Sequence, residues 1–518
     1  MSQTTDIRTM RRSAQSTNRL VLTSAVLTQL MIILDLTVIA VALPQMQQQL
    51  EMASSQSPWI VTAYALAFGG LVLFGGTLSA ALGLRRAYLI GLGGFAISSL
   101  IAGLAPSFAV LVAGRAAQGV FAALLAPTLL ALVNQAFGEV AGRNRAFAIL
   151  GATGGTGAAI GLLLGGALTE YMNWRWTLFI NVFIAFFAAL VSLRSISAHG
   201  AGSSAVKMNR DFLGLLLGCS AIFSLVFGFD RAQQDSWTSA SALTWFIAGG
   251  LLLATFLLRE RYAKDPAIPG WLVFSRTRGS AYLTQFFVGT GQMGAFIYLT
   301  YYFQNHFEYS PMRAGVTFLP LVAALIVTAL ISGRTLAPKY GARLLFPAGL
   351  LVQAAALLIL SRITVDSSYV EVALPGIIVF GIGLGLSMPM VFNAGTANVN
   401  SAFSGRASAL VQASQQIGSS FGVAILSSYA ATSIRDYVAG NREGAQAQVL
   451  EQLAAAGKDP MSAEGQGIAA KAMESFQDAA QLNAYSGGFL LMGVIISVAA
   501  LVVCAVLFLG SPTRSKEE

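Results

Sequence analysis

The sequence predicts an all-α membrane protein of fourteen transmembrane helices, and three observations predict it. Of its 518 residues, 55% are hydrophobic and only 10% are charged, where a soluble chain carries about 25% charge. Fourteen apolar runs divide it, most near the roughly 20 residues that cross a bilayer core. With the N-terminus placed in the cytoplasm and the runs alternating, 22 of the 31 Lys and Arg fall on the cytoplasmic side and eight outside. The positive-inside rule then requires an even number of spans, with both termini cytoplasmic.

The runs are 20–43, 59–82, 87–104, 108–131, 146–168, 177–193, 212–229, 240–258, 280–302, 314–333, 344–361, 372–394, 407–429 and 485–510. The polar stretch 1–19 carries Arg8, Arg11, Arg12 and Arg19 and reads as a cytoplasmic tail. The run after it is too long for a signal-peptide core and reads as a retained first span. Pro106 sits in the short polar break between the third and fourth runs.

A weak internal repeat organises these runs. Gly142, Arg143 and Ala146 recur as Gly405, Arg406 and Ala409, shifted by 263 residues, and Gly83-Leu84-Arg85 recurs as Gly341-Ala342-Arg343, shifted by 258. Transporters are commonly built from such repeats. The expected domains are therefore a six-helix bundle at 20–194, a linker at 195–278 with two inserted transmembrane helices, and a second six-helix bundle at 279–510. The loops around Lys207–Arg210 and Arg259–Arg278 flank the inserted pair. A tail at 511–518 follows. The external loop 431–484 has apolar residues such as Val449, Leu450, Leu453, Met473 and Phe476 at roughly helical spacing, which predicts one or two short surface helices.

Composition also excludes functions. The net charge of +9 belongs to membrane topology and anionic lipid, not to nucleic acid. Cys219 and Cys504 both fall in apolar runs and imply no disulfide framework. His199 and His306 lie in loops without partners in sequence, and no metal-ligand spacing or P-loop is present. Neither an enzyme nor a resident cofactor is expected.

The chemistry concentrates in two charges. Asp35, in LDLTVIAVALP, is the one acid deep inside an apolar run. Insertion scales put such a group at about 2.5–3.5 kcal/mol, so it marks a functional site by default. Its helical face (Thr28, Met31, Ile32, Val38, Ile39, Ala42) is apolar apart from Thr28. Burial disfavours the charged form of a carboxylate, which suits a group that binds and releases a proton. Arg115 is the one base inside a span, and Gln118 shares its face at i+3. At helical rise Arg115 lies about 10 Å below Phe108 and Asp35 about 12 Å below Leu43, so the two reach similar depth. In the fifth span, Gly151, Gly155, Gly157, Gly161, Gly165 and Gly166 give small-xxx-small spacing for close helix approach. Gln292, Phe296 and Tyr298 in the ninth span, with Gln412 and Gln416 in the thirteenth, are the candidates for an apolar substrate cavity with a few hydrogen bonds.

At these residues the chain resembles the fourteen-helix drug:proton antiporter family of the major facilitator superfamily. The resemblance spans about residues 20–510. LDLTVIAVALP resembles the first-helix motif, and VAGRAAQGVFAALLAP is similar to the fourth-helix motif. AIGLLLGGAL with NWRWTLFINV resembles the fifth-helix antiporter motif and the turn after it, and SPMRAGVTFLP and SGRASALVQASQQIG look familial. The resemblance implies alternating access, with Asp35 as the proton site and Arg115 and Gln118 tuning it. It also implies that the fifth-helix glycines form the bending interface between the halves. The loop motif keeps Gly76, Leu78, Ser79, Gly83 and Arg85, followed by Arg86, but Ala80 and Ala81 replace its Asp-Arg. Ala40 and Leu162 stand where the family has Asn and Pro. The missing acid at 80 implies a cytoplasmic latch that is weakened or built differently.

Together these readings predict a proton-coupled exporter of lipophilic or weakly cationic small molecules in a cytoplasmic membrane. It is expected to be a monomer in contact with lipid, with the proton as coupling ion. Metabolite uptake or uniport by the same fold, and a transport-inactive membrane sensor, are the alternatives.

Overall fold

The computed structural model describes residues 2–52, 56, 58–137, 139–195, 211–263, 266–456 and 462–509. His199, the loop around Lys207–Arg210 and the tail 511–518 lie outside the described residues, as do the side chains of Ala40 and Leu162.

Among the described residues the chain is helical throughout. The first bundle contains α1 (Ser2–Gln49), α2 (Pro58–Leu82), α3 (Leu84–Gly103), α4 (Phe108–Ala136), α5 (Val140–Tyr171) and α6 (Trp176–Ser195). The inserted pair is α7 (Phe212–Gln234) and α8 (Ala240–Tyr262), followed by the short α9 (Gly270–Val273). The second bundle contains α10 (Arg276–Tyr301), α11 (Pro311–Thr317), α12 (Leu319–Ile331), α13 (Ala337–Leu360), α14 (Leu374–Thr396), α15 (Ser401–Ala456) and α16 (Ala463–Leu509). Among the described residues the fourteen apolar runs are helical almost throughout. Eleven helical segments among those residues are long and apolar enough to cross a membrane. One of them, Met312–Leu360, has 49 residues, or about 74 Å of helix, and is bent back at Gly341, where φ is 64°.

Hereafter the lower end is where α2 passes into α3, and the upper end is where α1 passes into α2. The two bundles face each other along α2 and α4 against α15, and along α5 against α11, α12 and α14. α7 packs on both α2 and α15, so the inserted pair closes one side of the seam. The outer helix α8 exposes Ile247, Leu251 and Leu258, as suits a lipid-facing surface.

The internal repeat extends into the backbone. Gly83 and Gly341, paired from sequence, are the two glycines with positive φ among the described residues, at 81° and 64°. Glu51 and Glu308, which follow the first and ninth runs, also share positive φ, at 50° and 51°. Pro127 inside α4 and Pro389 inside α14 are a further pair.

The stretch 431–484 differs from expectation. Instead of separate surface helices, α15 and α16 run on past the apolar runs as two arms, in helices of 56 and 47 residues. Ser433 donates to Asn483 at 3.2 Å, and the Tyr437 and Phe476 rings lie 5.8 Å apart, so the arms pack as a hairpin. His306 has a partner after all: its Nδ1 lies 2.7 Å from Asp478 on the α16 arm. A separation of 172 residues hid that pairing.

Gly341, with φ 64° and ψ −174°, occupies a region open essentially only to glycine. Gly341→Ala is expected to lower stability by about 1–3 kcal/mol. Gly440→Ala, inside the α15 arm where an added Cβ meets nothing, should be neutral or slightly stabilising. Thermal unfolding of the two purified variants checks the contrast.

Candidate functional site

The site is built where α1, α2, α3, α4 and α6 converge. Asp35 is 1% exposed, and Arg115 and Gln118 are fully buried. Arg115 Nη1 donates to Asp35 Oδ2 in a direct ion pair. The same Nη1 donates to Gln118 Oε1 at 2.9 Å, and Arg115 Nε donates to the Ile60 carbonyl at 3.1 Å. The Arg115 guanidinium lies 4.7 Å from the Tyr64 ring centre. Gln118 Nε2 donates to Asp35 Oδ1 at 3.0 Å and to Ser99 Oγ at 2.7 Å. The expectation of similar depth for the two charges agrees with their direct contact.

Four participants were missed from sequence. Asn181 on α6 donates from Nδ2 to Asp35 Oδ1 at 2.7 Å. Ser99, Tyr64 and the Ile60 carbonyl complete the shell. Asn181 stands in the quoted stretch NWRWTLFINV, so its position was visible, but nothing in the sequence aims α6 at α1. Asn181 provides the amide that the first-helix motif does not place beside the acid. Toward the lower end, the Tyr88 hydroxyl is shared by Thr28 at 2.5 Å and Ser24 at 3.0 Å. Thr28, the one polar group on the Asp35 face, is thus held by α3.

The fifth-helix glycines are corrected in part. Gly157, Gly161 and Gly165 recur every fourth residue and therefore share one face. That face packs on Leu30, Ile33, Leu34, Thr37 and Val38 of α1, inside the first bundle. They set the position of α1 around Asp35; they do not form the surface between the halves. Gly151 and Gly166 do face the other half, against Met388 and Met312.

The loop motif sits at the lower seam. A Cβ on Gly76 would stand 2.5 Å from the Gly405 carbonyl oxygen, and one on Gly405 would stand 2.4 Å from that of Gly76. The two bundles therefore touch backbone to backbone here. Ser79 donates to the Gly76 carbonyl at 2.8 Å, Gly83 makes the turn, Leu78 and Arg85 are half-buried, and Arg86 is exposed. Arg143 donates across the seam to Asn393 Oδ1 at 2.8 Å, and Asn393 in turn donates to Asn144. Ala80 offers no carboxylate here. On the inserted pair, the Glu260 carboxylate accepts from the Ala267 and Ile268 amides at 3.1 and 2.9 Å.

The substrate-cavity candidates separate. Gln292 and Phe296 are half-buried on α10, with the Phe296 ring 5.2 Å from that of Phe318. Tyr298 is 4% exposed and donates to the Leu426 carbonyl, with its ring packed on Tyr485 and Phe489. It joins α10 to α15 and α16. Gln412 is buried on α15, and Gln416 lies against Gly69 of α2.

Known proteins bear on this arrangement. The fold matches that of the proton:xylose symporter XylE, with a TM-score of 0.59 over 95% of this chain and 96% of that one, at 13% identity. It also matches the human organic anion transporter MFSD10, with a TM-score of 0.57 over 92% and 99%, at 15% identity. In sequence, the Major Facilitator Superfamily profile matches residues 25–423. The chain belongs to that superfamily. It is thus a multi-pass membrane protein of a transporter family. Among its major facilitator relatives, the puromycin resistance protein pur8 of Streptomyces alboniger is 39% identical over 79% of this chain and 81% of its own length. The cephamycin export protein CmcT of Amycolatopsis lactamdurans is 34% identical over 81% and 86%. The tetracenomycin C resistance and export protein of Streptomyces glaucescens is 31% identical over 79% and 75%.

Removing one member of a buried ion pair leaves the other charge uncompensated. Arg115→Leu is expected to lower the unfolding free energy by about 3–5 kcal/mol. Adding Asp35→Asn to the same protein should recover part of that loss, because no buried charge then remains. Unfolding of the single and double variants in detergent measures it, and an additive double variant would contradict a charge-paired site.

Proposed function

We propose that this major facilitator protein exports lipophilic, neutral or weakly cationic small molecules across the cytoplasmic membrane in exchange for protons. The observation that carries the reading is the buried, hydrogen-bonded cluster of Asp35, Arg115 and Gln118. An intramembrane acid with a single basic partner and two amide donors is suited to take up and release a proton, because each protonation state has partners at hand. The relatives named for cephamycin export and for tetracenomycin C resistance and export support outward movement of small molecules.

The mechanism follows from one carboxylate and two bundles. With Asp35 charged, its pair with Arg115 holds α1 to α4. Protonation removes the negative charge, weakens that pair and frees the first bundle to rock against the second. The seam of α2 and α4 with α15, and of α5 with α11, α12 and α14, is the surface that opens and closes. Gln292, Phe296, Gln412 and Gln416 are the substrate candidates. Tyr298 is set aside because its hydroxyl is committed to a backbone carbonyl. Asp35 and Arg115 are paired with each other, which leaves neither as a dedicated counter-charge for a strongly charged substrate. The proton is the coupling ion, with no resident cofactor. Fourteen crossings, both termini in the cytoplasm, a monomeric state and lipid as the surrounding partner complete the proposal.

The test uses purified protein in liposomes with an imposed pH gradient and an internal pH dye, challenged with puromycin, tetracenomycin C and ethidium. Substrate-dependent proton movement is expected in the wild type and its loss in Asp35→Asn. Proton movement that survives the substitution would rule out Asp35 as the carrier.

A further inference from the structure

Asn181 is fully buried on α6, and its amide donates to Asp35 Oδ1 at 2.7 Å. Its own Oδ1 is buried and has no hydrogen-bond partner. A buried amide oxygen left unpaired is costly, so a second use for it is a reasonable demand.

The groups in contact with Asp35 differ in what they can accept. Arg115 has donors only. Gln118 has its Oε1 engaged by Arg115 at 2.9 Å, while its Nε2 is held by Asp35 and Ser99. Asn181 alone among them has an unused acceptor. The Tyr64 hydroxyl is also buried and unpaired, but it makes no hydrogen bond to Asp35.

A carboxylate needs donors, whereas a carboxylic acid needs one acceptor for its O–H. The two atoms of an amide head are nearly the same size, so a half-turn of the Asn181 head exchanges Nδ2 for Oδ1 at the same distance from Asp35. We infer that Asn181 is the positioning residue that follows the protonation state of Asp35, donating to the carboxylate and, after the half-turn, accepting from the acid. The proton arrives from water and adds to Asp35 Oδ1; no other bond forms or breaks, and the proton returns to water when the amide turns back. In both states α6 keeps hold of α1, while Arg115 and Gln118 keep their own places. The amide meets Asp35 of α1, and the other groups gathered around that acid and its partner Arg115 are Tyr64 of α2, Ser99 of α3 and Gln118 of α4. This inference rests on Asp35 being the proton site.

Infrared difference spectroscopy of the full-length protein during a pH titration tests it, with the protonated carboxyl band assigned by its loss in Asp35→Asn. In Asn181→Leu the carboxylate loses a charge-assisted donor and the acid loses its acceptor. The charged interaction is the stronger of the two, so the proton is held to higher pH. A rise in the titration midpoint of about one pH unit is expected, with a shifted carboxyl band. Asn181→Thr, whose hydroxyl both donates and accepts, should return midpoint and band toward wild type. The pH optimum of puromycin-driven proton exchange in liposomes should move in the same order. An Asn181→Leu protein with the wild-type midpoint and band would overturn the inference while leaving Asp35 as the proton site. A carboxyl band that persists in Asp35→Asn would instead overturn the proton-site reading itself.

Discussion

The pairing of Asp35 with Arg115 is the constraint on which the first bundle depends. Taking two charges out of water and lipid headgroups is tolerable only when each finds the other and its remaining hydrogen-bonding capacity is nearly filled. Here that requirement recruits five helices. α1 brings the acid, α4 the base and an amide, α6 a second amide, α3 a hydroxyl, and α2 a carbonyl and an aromatic face. A shift of one helix along its axis by a single turn would strand a charge. The bundle is therefore registered by its polar centre as much as by its apolar packing.

The second bundle repeats the frame without the charges. At the repeat offsets seen in the backbone, Gln292 corresponds to Asp35, and the buried Ile377 and Phe380 correspond to Arg115 and Gln118. The two halves thus share turns and prolines inside helices, yet among the described residues only the first holds a fully buried ion pair. A change of charge at Asp35 acts on one bundle alone. That is the condition for it to alter how the two bundles meet, since an equal change in both would leave their difference unaltered.

Between that centre and the seam stands α5. Its small-residue face lets α1 come close beside Asp35, and its other face meets α11, α12 and α14. The helix that supports the acid is therefore also one that crosses to the other half. At the lower end the halves are joined by backbone contact at Gly76 and Gly405 and by Arg143 with Asn393. The inserted helices also meet this seam, since α7 packs on both α2 and α15.

The sequence by itself determined the helical runs and marked Asp35, Arg115 and Gln118 as polar groups within them. Hydrophobic length and charge alternation are local signals that lipid imposes on any chain crossing it. Asp35, Arg115 and Gln118 were legible for the same reason, since a polar group in an apolar run stands out wherever it points. The repeated Gly-x-Arg at Gly83 and Gly341 was legible, while the positive φ shared by the two glycines came only from the structure. What only the tertiary structure decided is which helix faces which. Asn181 and Ser99 join Asp35 and Gln118 from 146 and 19 residues away. His306 finds Asp478, Tyr298 is taken by a carbonyl of α15, and the fifth-helix glycines turn toward α1. A helix period shows which residues share a face but not the direction in which that face is aimed. That direction is fixed by packing among all the helices together, and no single run of sequence contains it.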